Sequence, residues 1–239
     1  KSSDEQKKAI NESLDAITSV FREARAYWLA AKNNIDTTKR DIRYEAMRRV
    51  FDGTMPVIIN AGSQREIEAA LDFATEFSIK VIIAGGYDAP LVADRLVKMH
   101  VPVIVQRVHS LPQRDDSGYD EAFTIAARLH AAGVKFCLSD GGSWQQRNLP
   151  FQAGTAIAYG LSPDAALASI TLAPAQIFGI DADYGSLEAG KSATLFLSSG
   201  DALDGVSIGV ERAWIDGREI DLSNRHKRLS TKYRGRYSR

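Results

Sequence analysis

The sequence predicts an α/β protein built on parallel strands. Three observations carry that reading. Four short apolar runs, at 56–60, 80–84, 101–105 and 134–139, recur along the chain. Amphipathic helical segments lie between them, at about 63–77, 89–99 and 119–132. The runs are also continuously apolar rather than alternating, as expected of strands buried on both faces and joined by right-handed crossovers.

Each flanking element follows from its own pattern. Residues 3–32 form one long helix, because Ile10, Leu14, Ile17, Phe21, Ala24 and Trp28 recur at steps of three and four, and Ser3 and Gln6 have capping-box spacing. A polar loop to Asp41 leads to a second helix that stops at Asp52-Gly53. Beyond the fourth strand, helices are expected at 149–159, at 163–172 and near 174–178. The last sixty residues change to antiparallel strands at 193–197, 207–215 and 218–220, with Asp216-Gly217 as the hairpin turn. Such a small sheet needs another layer to cover it. The expected organisation is N-terminal helices at 1–52, parallel α/β units at 53–180, sheet strands at 181–222 and a basic tail at 223–239.

Composition narrows the function classes. The 239 residues carry 30 Lys+Arg and 30 Asp+Glu, so no overall field favours nucleic acid or an anionic membrane. Arg225, Lys227, Arg228, Lys232, Arg234, Arg236 and Arg239 make the tail locally basic, and it reads as a solvated tail or docking strap rather than a nucleic-acid site. Cys137, the single cysteine, lies in an apolar run and reads as a small buried hydrophobe. No apolar run reaches the roughly 18 residues of a membrane span. The start at Lys1-Ser2-Ser3 reads as a processed or truncated product. A soluble protein of the bacterial cytoplasm or periplasm is expected.

A specific pattern spans residues 148–218. Asn148-Leu149-Pro150 leads to Ala153-Gly154 and Tyr159-Gly160-Leu161-Ser162-Pro163. Thr171-Leu172-Ala173-Pro174-Ala175 and Phe178-Gly179 follow, then Gly185-Ser186-Leu187-Glu188-Ala189-Gly190-Lys191-Ser192-Ala193 and Trp214-Ile215-Asp216-Gly217-Arg218. In this order the pieces resemble the closing segment of the amidohydrolase superfamily, the group similar to imidazolonepropionase and related hydrolases. Thr194 stands where that pattern usually has an acidic residue. The likeness extends more weakly back to about Pro56.

The resemblance implies that the four strands are the fifth to eighth of a (β/α)8 TIM-type barrel, followed by part of a small β-sandwich. Catalytic groups of such barrels lie at the C-terminal strand ends. The family's fifth and sixth strands usually end in metal-binding histidines, and its eighth in an aspartate that is both ligand and base. Here those positions hold Asn60, Gly85-Gly86 and Asp140. Only the aspartate remains, so the zinc or other divalent metal that the resemblance implies meets a degenerate site. A neutral amide is a poor substitute for imidazole. A half-barrel also exposes strand edges, so an N-terminal half-chain or a homo-oligomer is the expected partner, besides a small-molecule substrate.

The candidate residues each carry two readings. Asp140 is either the water-orienting base and metal ligand or the cap of an Asp-Gly-Gly turn. His109, after the third strand, is a substrate or proton-handling group or a plain rim histidine. Gly85 and Gly86 allow close backbone approach to a ligand, or only begin the next helix with Asp88 as its N-cap. Arg147 and Asn148 grip a substrate carboxylate or pack locally. His100, His130 and His226 read as structural or tail residues. The function expected is hydrolysis of peptide-like or non-peptide carbon–nitrogen bonds. The alternatives are a non-catalytic, metal-free scaffold or ligand-binding relative, and a metal-independent hydrolase using the same pocket.

Overall fold

A computed structural model describes residues 3–33 and 40–237. Its chain divides into two compact units, residues 1–104 and 105–239, with the division inside the third strand.

The first unit opens with α1 (Ser3–Lys32) and α2 (Ile42–Phe51). The Ser3–Gln6 capping spacing lies outside the described side chains. Asp41 caps α2, its Oδ1 accepting from the Arg43 amide at 2.9 Å. The Asp41–Arg43 contacts hold the Asp41 carboxyl down at about 2. The strand β1 (Val57–Ala61), α3 (Gln64–Phe77), β2 (Val81–Gly85), a 3-10 turn (Ala89–Val92) and α4 (Ala93–Lys98) follow. β1 and β2 pair in parallel, with Val57 opposite Val81 and Asn60 opposite Ala84. The Ile83 amide donates to the Pro102 carbonyl, laying the start of β3 (Val103–Gln106) along β2. Within this unit the order is β1-β2-β3.

Aromatic side chains join the three long helices of the unit. Phe21 of α1 meets Phe73 and Phe77 of α3 at centroid distances of 4.9 and 5.4 Å, and Phe51 of α2 at 6.3 Å. Trp28 Nε1 donates to Asp52 Oδ1 at 2.7 Å. The apolar stripe of α1 is therefore buried only toward its C-terminal half. Ile10, Leu14 and Ile17 remain 50–58% exposed. They line an open groove of about 1030 Å³ together with Ile58 of β1 and Phe73 of α3.

The second unit contains the end of β3, α5 (Glu121–Ala131), β4 (Phe136–Ser139), a 3-10 turn (Gln146–Asn148), α6 (Leu149–Ala158), α7 (Pro163–Ile170) and α8 (Leu172–Phe178). The Arg107 amide donates to the Ser139 carbonyl at 3.1 Å, fixing the end of β3 beside β4. Next comes an antiparallel sheet of β5 (Leu195–Ser198), β6 (Val210–Ile215) and β7 (Arg218–Glu219). The alternating strands and helices are the α/β architecture of a partial barrel. Residues 225–237, read above as a tail, are a helix, α9 (Arg225–Tyr237), exposed along its length. The sequence hid it because its apolar positions, Leu229, Tyr233 and Tyr237, are too few to make a conspicuous stripe. The helix expected at 89–99 is likewise split into a 3-10 turn carrying Pro90 and a short α4.

Two glycines give a test of the packing. Gly86 has φ +63°, and a Cβ there would lie 2.4 Å from Val103 Cγ1, whereas Gly133 has φ +75° and nothing within 4 Å. Gly133→Ala should therefore cost only the left-handed backbone penalty, about 1–2 kcal/mol. Gly86→Ala should cost about 1–3 kcal/mol more through overpacking. Urea unfolding of the two variants reads the difference, and equal midpoints would remove the packing argument.

Candidate active site

The residues singled out from sequence fall into both units. In the first, Asn60 is the penultimate residue of β1, exposed with Ile58 on the same strand face. Gly85 ends β2 with φ +113°, and a Cβ there would approach the Ala61 carbonyl oxygen to 3.0 Å. The Gly86 and Asp88 amides donate to the carbonyls of Ala61 and Gly62. This glycine pair thus has a backbone reason to be glycine, namely the close stitching of the β2 loop onto the end of β1. Asp88 is buried but does not cap the turn that follows it. Its Oδ2 instead accepts from the Gln64 amide of α3 at 2.9 Å. α3 also carries the reciprocal capping box of Ser63 and Glu66. The amides of Ser63 and Gly62 hold the Glu66 carboxyl below the usual range.

In the second unit the site is built around Asp140, the residue after β4. Its side chain is 1% exposed. Gln152 of α6, also 1% exposed, donates from Nε2 to Asp140 Oδ2 at 2.5 Å and accepts at Oε1 from the Val108 amide at 2.6 Å. A backbone N–H can only donate, so the amide's orientation is set, and with it the donor facing the carboxylate. Asp140 Oδ1 is buried and has no hydrogen-bond partner among the described residues. Arg107 Nε lies 3.9 Å from it, beyond hydrogen-bonding distance. Arg107 has φ +28°, a left-handed conformation that costs a non-glycine residue on the order of 1 kcal/mol.

One turn along α6, Thr155 Oγ1 donates to the Phe151 carbonyl at 2.9 Å and lies 2.6 Å from His109 Nε2. The contact ties the His109 ring to α6 through Nε2 and leaves Nδ1 without a hydrogen-bond partner among the described residues, the direction of the Nε2–Oγ1 bond following the imidazole tautomer. Gln152 and Thr155, three residues apart, share a helix face and hold the segment after β3. The opposite constraint comes from Gly154, where a Cβ would lie 2.2 Å from the Leu203 carbonyl oxygen. Arg147 stacks 4.4 Å over the Trp144 ring, and Asn148 occupies the N-cap of α6 without a side-chain bond there.

Comparison with known proteins gives this arrangement its context. Residues 111–220 match the model of the amidohydrolase family. The curated amidohydrolase tasK of Hapsidospora irregularis is 25% identical over 182 residues, covering 74% of this chain and 18% of that protein. An amidohydrolase structure from Thermotoga maritima superposes with a TM-score of 0.74 at 28% identity, covering 87% of this chain and 54% of that one. A zinc-bound adenosine deaminase from Xanthomonas campestris shares the fold at a TM-score of 0.51 and 19% identity, covering 83% of this chain and 55% of that one. The chain thus spans about half the length of the solved structures and less than a fifth of the curated relative.

A metal fits this donor set poorly. No group of three or more His, Cys, Asp or Glu able to hold a metal ion occurs among the described residues. The orphaned Oδ1 could accept a cation, but the Arg107 guanidinium stands beside it. Like charges about 4 Å apart repel by about 4 kcal/mol at an effective dielectric near 20, and a divalent ion doubles that before solvent screening of the half-exposed arginine.

Sequence reasoning missed Gln152, Thr155 and Arg107. Gln152 had a visible signal, a lone amide in the apolar helix Leu149–Ala158. Cys137, by contrast, is as expected: burial pushes its thiol up to about 11.

Two measurements follow. Gln152→Leu leaves the Val108 N–H and Asp140 Oδ2 unpaired in the interior, and should cost about 2–4 kcal/mol in chemical denaturation. A loss below about 0.5 kcal/mol would show that the amide bridge contributes nothing. The Cys137 thiol should resist alkylation at pH 8 in the native protein and react readily in urea. Its raised folded value means that stability is full below the unfolded thiol value of 9.0 and falls as pH climbs toward about 11. Unfolding midpoints at pH 8 and 10 check the sign.

Proposed function

We propose that this chain is the C-terminal half of an amidohydrolase-type hydrolase acting on the carbon–nitrogen bond of a small-molecule substrate. The observation that carries the reading is Asp140, at a strand's C-terminal end, buried, locked at Oδ2 by Gln152 and left with Oδ1 as its one uncommitted acceptor. In that role Oδ1 takes a proton from the attacking water. The water oxygen bonds to the carbonyl carbon, the carbon–nitrogen bond breaks, and the departing nitrogen receives the proton. In this reading His109 handles protons or substrate at the mouth, and Arg147 and Asn148, at the end of the loop after β4, grip the substrate. In this reading residues 53–180 form the half-barrel, 181–222 the sandwich strands, and the glycine pair shapes the rim.

A zinc ion, when bound in such enzymes, supplies an activated water. With Asn60 and Gly85 in place of the expected histidines, most of its ligands would have to come from elsewhere, and no step here depends on it. The open groove beside edge strand β1, lined by Ile10, Leu14, Ile17 and Ile58, supports a partner that completes the barrel, either an N-terminal half-chain or a second copy. No helix among the described residues is long and apolar enough to cross a membrane. The same Asn60 and Gly85 favour a second reading, a metal-free scaffold or ligand-binding relative.

Native mass spectrometry of material purified from its source identifies any partner, and an amide and lactam panel assayed on that complex tests turnover. Asp140→Asn should lower kcat by about 10²–10⁴-fold, the usual contribution of a positioned base. Undiminished hydrolysis in that variant would sink the Asp140 mechanism, whereas retained ligand binding without turnover in the wild type would favour the scaffold.

A further inference from the structure

We infer that α9 is an interfacial helix that docks the chain onto an anionic lipid surface. This role is independent of the hydrolase reading, because residues 225–237 alone carry it.

α9 spans Arg225–Tyr237, 13 residues, and buries no side chain. Asn224 caps it, its Oδ1 accepting from the Lys227 amide at 2.9 Å, and the Thr231 hydroxyl donates back to the Lys227 carbonyl at 3.1 Å. Local bonds of that kind leave so short a helix marginal in water. Its charges oppose it further. All 30 Asp and Glu residues of the chain precede residue 223, so the helix has several Lys and Arg and no acid. Arg225, Arg228, Lys232 and Arg236 follow one another at steps of three and four, which aligns like charges in one row. A surface that neutralises the row stabilises the helix.

The apolar residues of α9 select that surface. Leu229, Tyr233 and Tyr237 recur at steps of four and are 37%, 45% and 83% exposed. Around the helix axis this stripe runs between the row of four cations and the pair Lys227 and Arg234. His226 and Ser230 fall in the same sector, so the stripe is narrow. Cations therefore flank it on both sides. A helix lying in a membrane interface has this arrangement: the stripe meets the boundary between headgroups and acyl chains, and the Lys and Arg stems bend outward to the phosphates. Lys232 Nζ and Arg236 Cζ lie 5.9 and 5.5 Å from the Tyr233 ring centre. A ring occupied by two cations is poorly placed to stack on a base, which removes the chief use of tyrosine in a single-stranded nucleic-acid site. The narrow stripe makes attachment chiefly electrostatic and reversible.

The test is flotation of the full chain with lipid vesicles through a sucrose gradient, in which bound protein rises and aggregates sink. Phosphatidylcholine vesicles holding about a quarter phosphatidylserine should carry the chain upward at low salt, whereas pure phosphatidylcholine should not. Raising NaCl to about 0.5 M should release it, because the charges are then screened. Arg228→Gln with Lys232→Gln should lower the partition coefficient roughly 10–30-fold, each cation near the surface being worth about fivefold. Arg228→Lys with Lys232→Arg keeps the charges and should float like the wild type. Leu229→Gln with Tyr233→Gln should lower partition roughly 5–20-fold through lost apolar contact. No flotation on anionic vesicles, or equal flotation on neutral ones, would overturn the proposal. So would a Leu229→Gln, Tyr233→Gln variant that floats like the wild type, which would reduce α9 to a plain counter-ion patch. Displacement of the chain from the vesicles by oligouridylate at equal phosphate concentration would reassign the helix to nucleic acid and overturn it as well. None of these readouts needs turnover.

Discussion

The buried amide of Gln152 is the contact on which the second unit's functional end depends. A carboxylate inside a protein is costly unless its oxygens are satisfied. Gln152 satisfies one oxygen of Asp140 with its N–H and spends its carbonyl on the Val108 amide. Because the same side chain touches both strand ends, it couples the geometry of Arg107, Val108 and His109 to that of Asp140. A Glu at position 152 would lose the donor, and an apolar residue would strand two buried polar groups. The helix that delivers Gln152 is itself held by the contact of Gly154 with the Leu203 carbonyl, where no larger residue fits. The antiparallel segment after α8 therefore contributes to the site without supplying a reacting group.

Much of the fold was legible in the sequence because its strands are continuously apolar and its helices amphipathic. The boundaries of β1, β2 and α3 come within a residue or two of their expected positions. α9 escaped notice because an exposed basic helix carries little hydrophobic periodicity, and what holds it is local hydrogen bonding rather than burial. The helix expected at 89–99 is interrupted at Val92, whose backbone leaves the helical region at φ −121° and ψ 21°, a change that no residue type in the run announces. The site was legible only where a residue's type and strand-end position coincide, as for Asp140. Arg107 and Thr155 act through a backbone conformation and a helix face, neither of which a linear reading displays. Asp88 shows the same limit from the other side: its position announced a cap, but the helix it serves begins twenty-four residues earlier, at Gln64.

The first unit is organised around aromatic contacts rather than polar ones. Phe21, Phe51, Phe73 and Phe77 clamp the second half of α1 to α2 and α3, and Arg25 adds a hydrogen bond to the Glu76 carbonyl. The first half of α1 has the same periodicity but no such neighbours, so its apolar face stays open above β1. A sequence pattern that predicts burial is thus met along only part of its length. The uncovered part lies beside an edge strand with apolar side chains, where unpaired backbone groups and exposed apolar area coincide. Those are the two features that β-pairing with another segment removes together.

The charge pattern around Asp140 shows how a carboxylate is kept ionisable in the interior of this unit. A lone aspartate in the interior would be a buried charge with too little compensation. Arg107 supplies the opposite sign at 3.9 Å, and Gln152 supplies a donor that carries no charge. Together they stabilise the carboxylate by means that need no metal ion, yet they leave Oδ1 without a hydrogen-bond donor among the described residues. A purely structural solution would have closed that gap, because a direct Arg–Asp hydrogen bond is worth more than a separation of 3.9 Å. The Arg107 backbone is also held at φ +28°, with its amide donating to the Ser139 carbonyl. Strain after β3 and an unsatisfied buried acceptor after β4, side by side, are features that call for an explanation beyond packing.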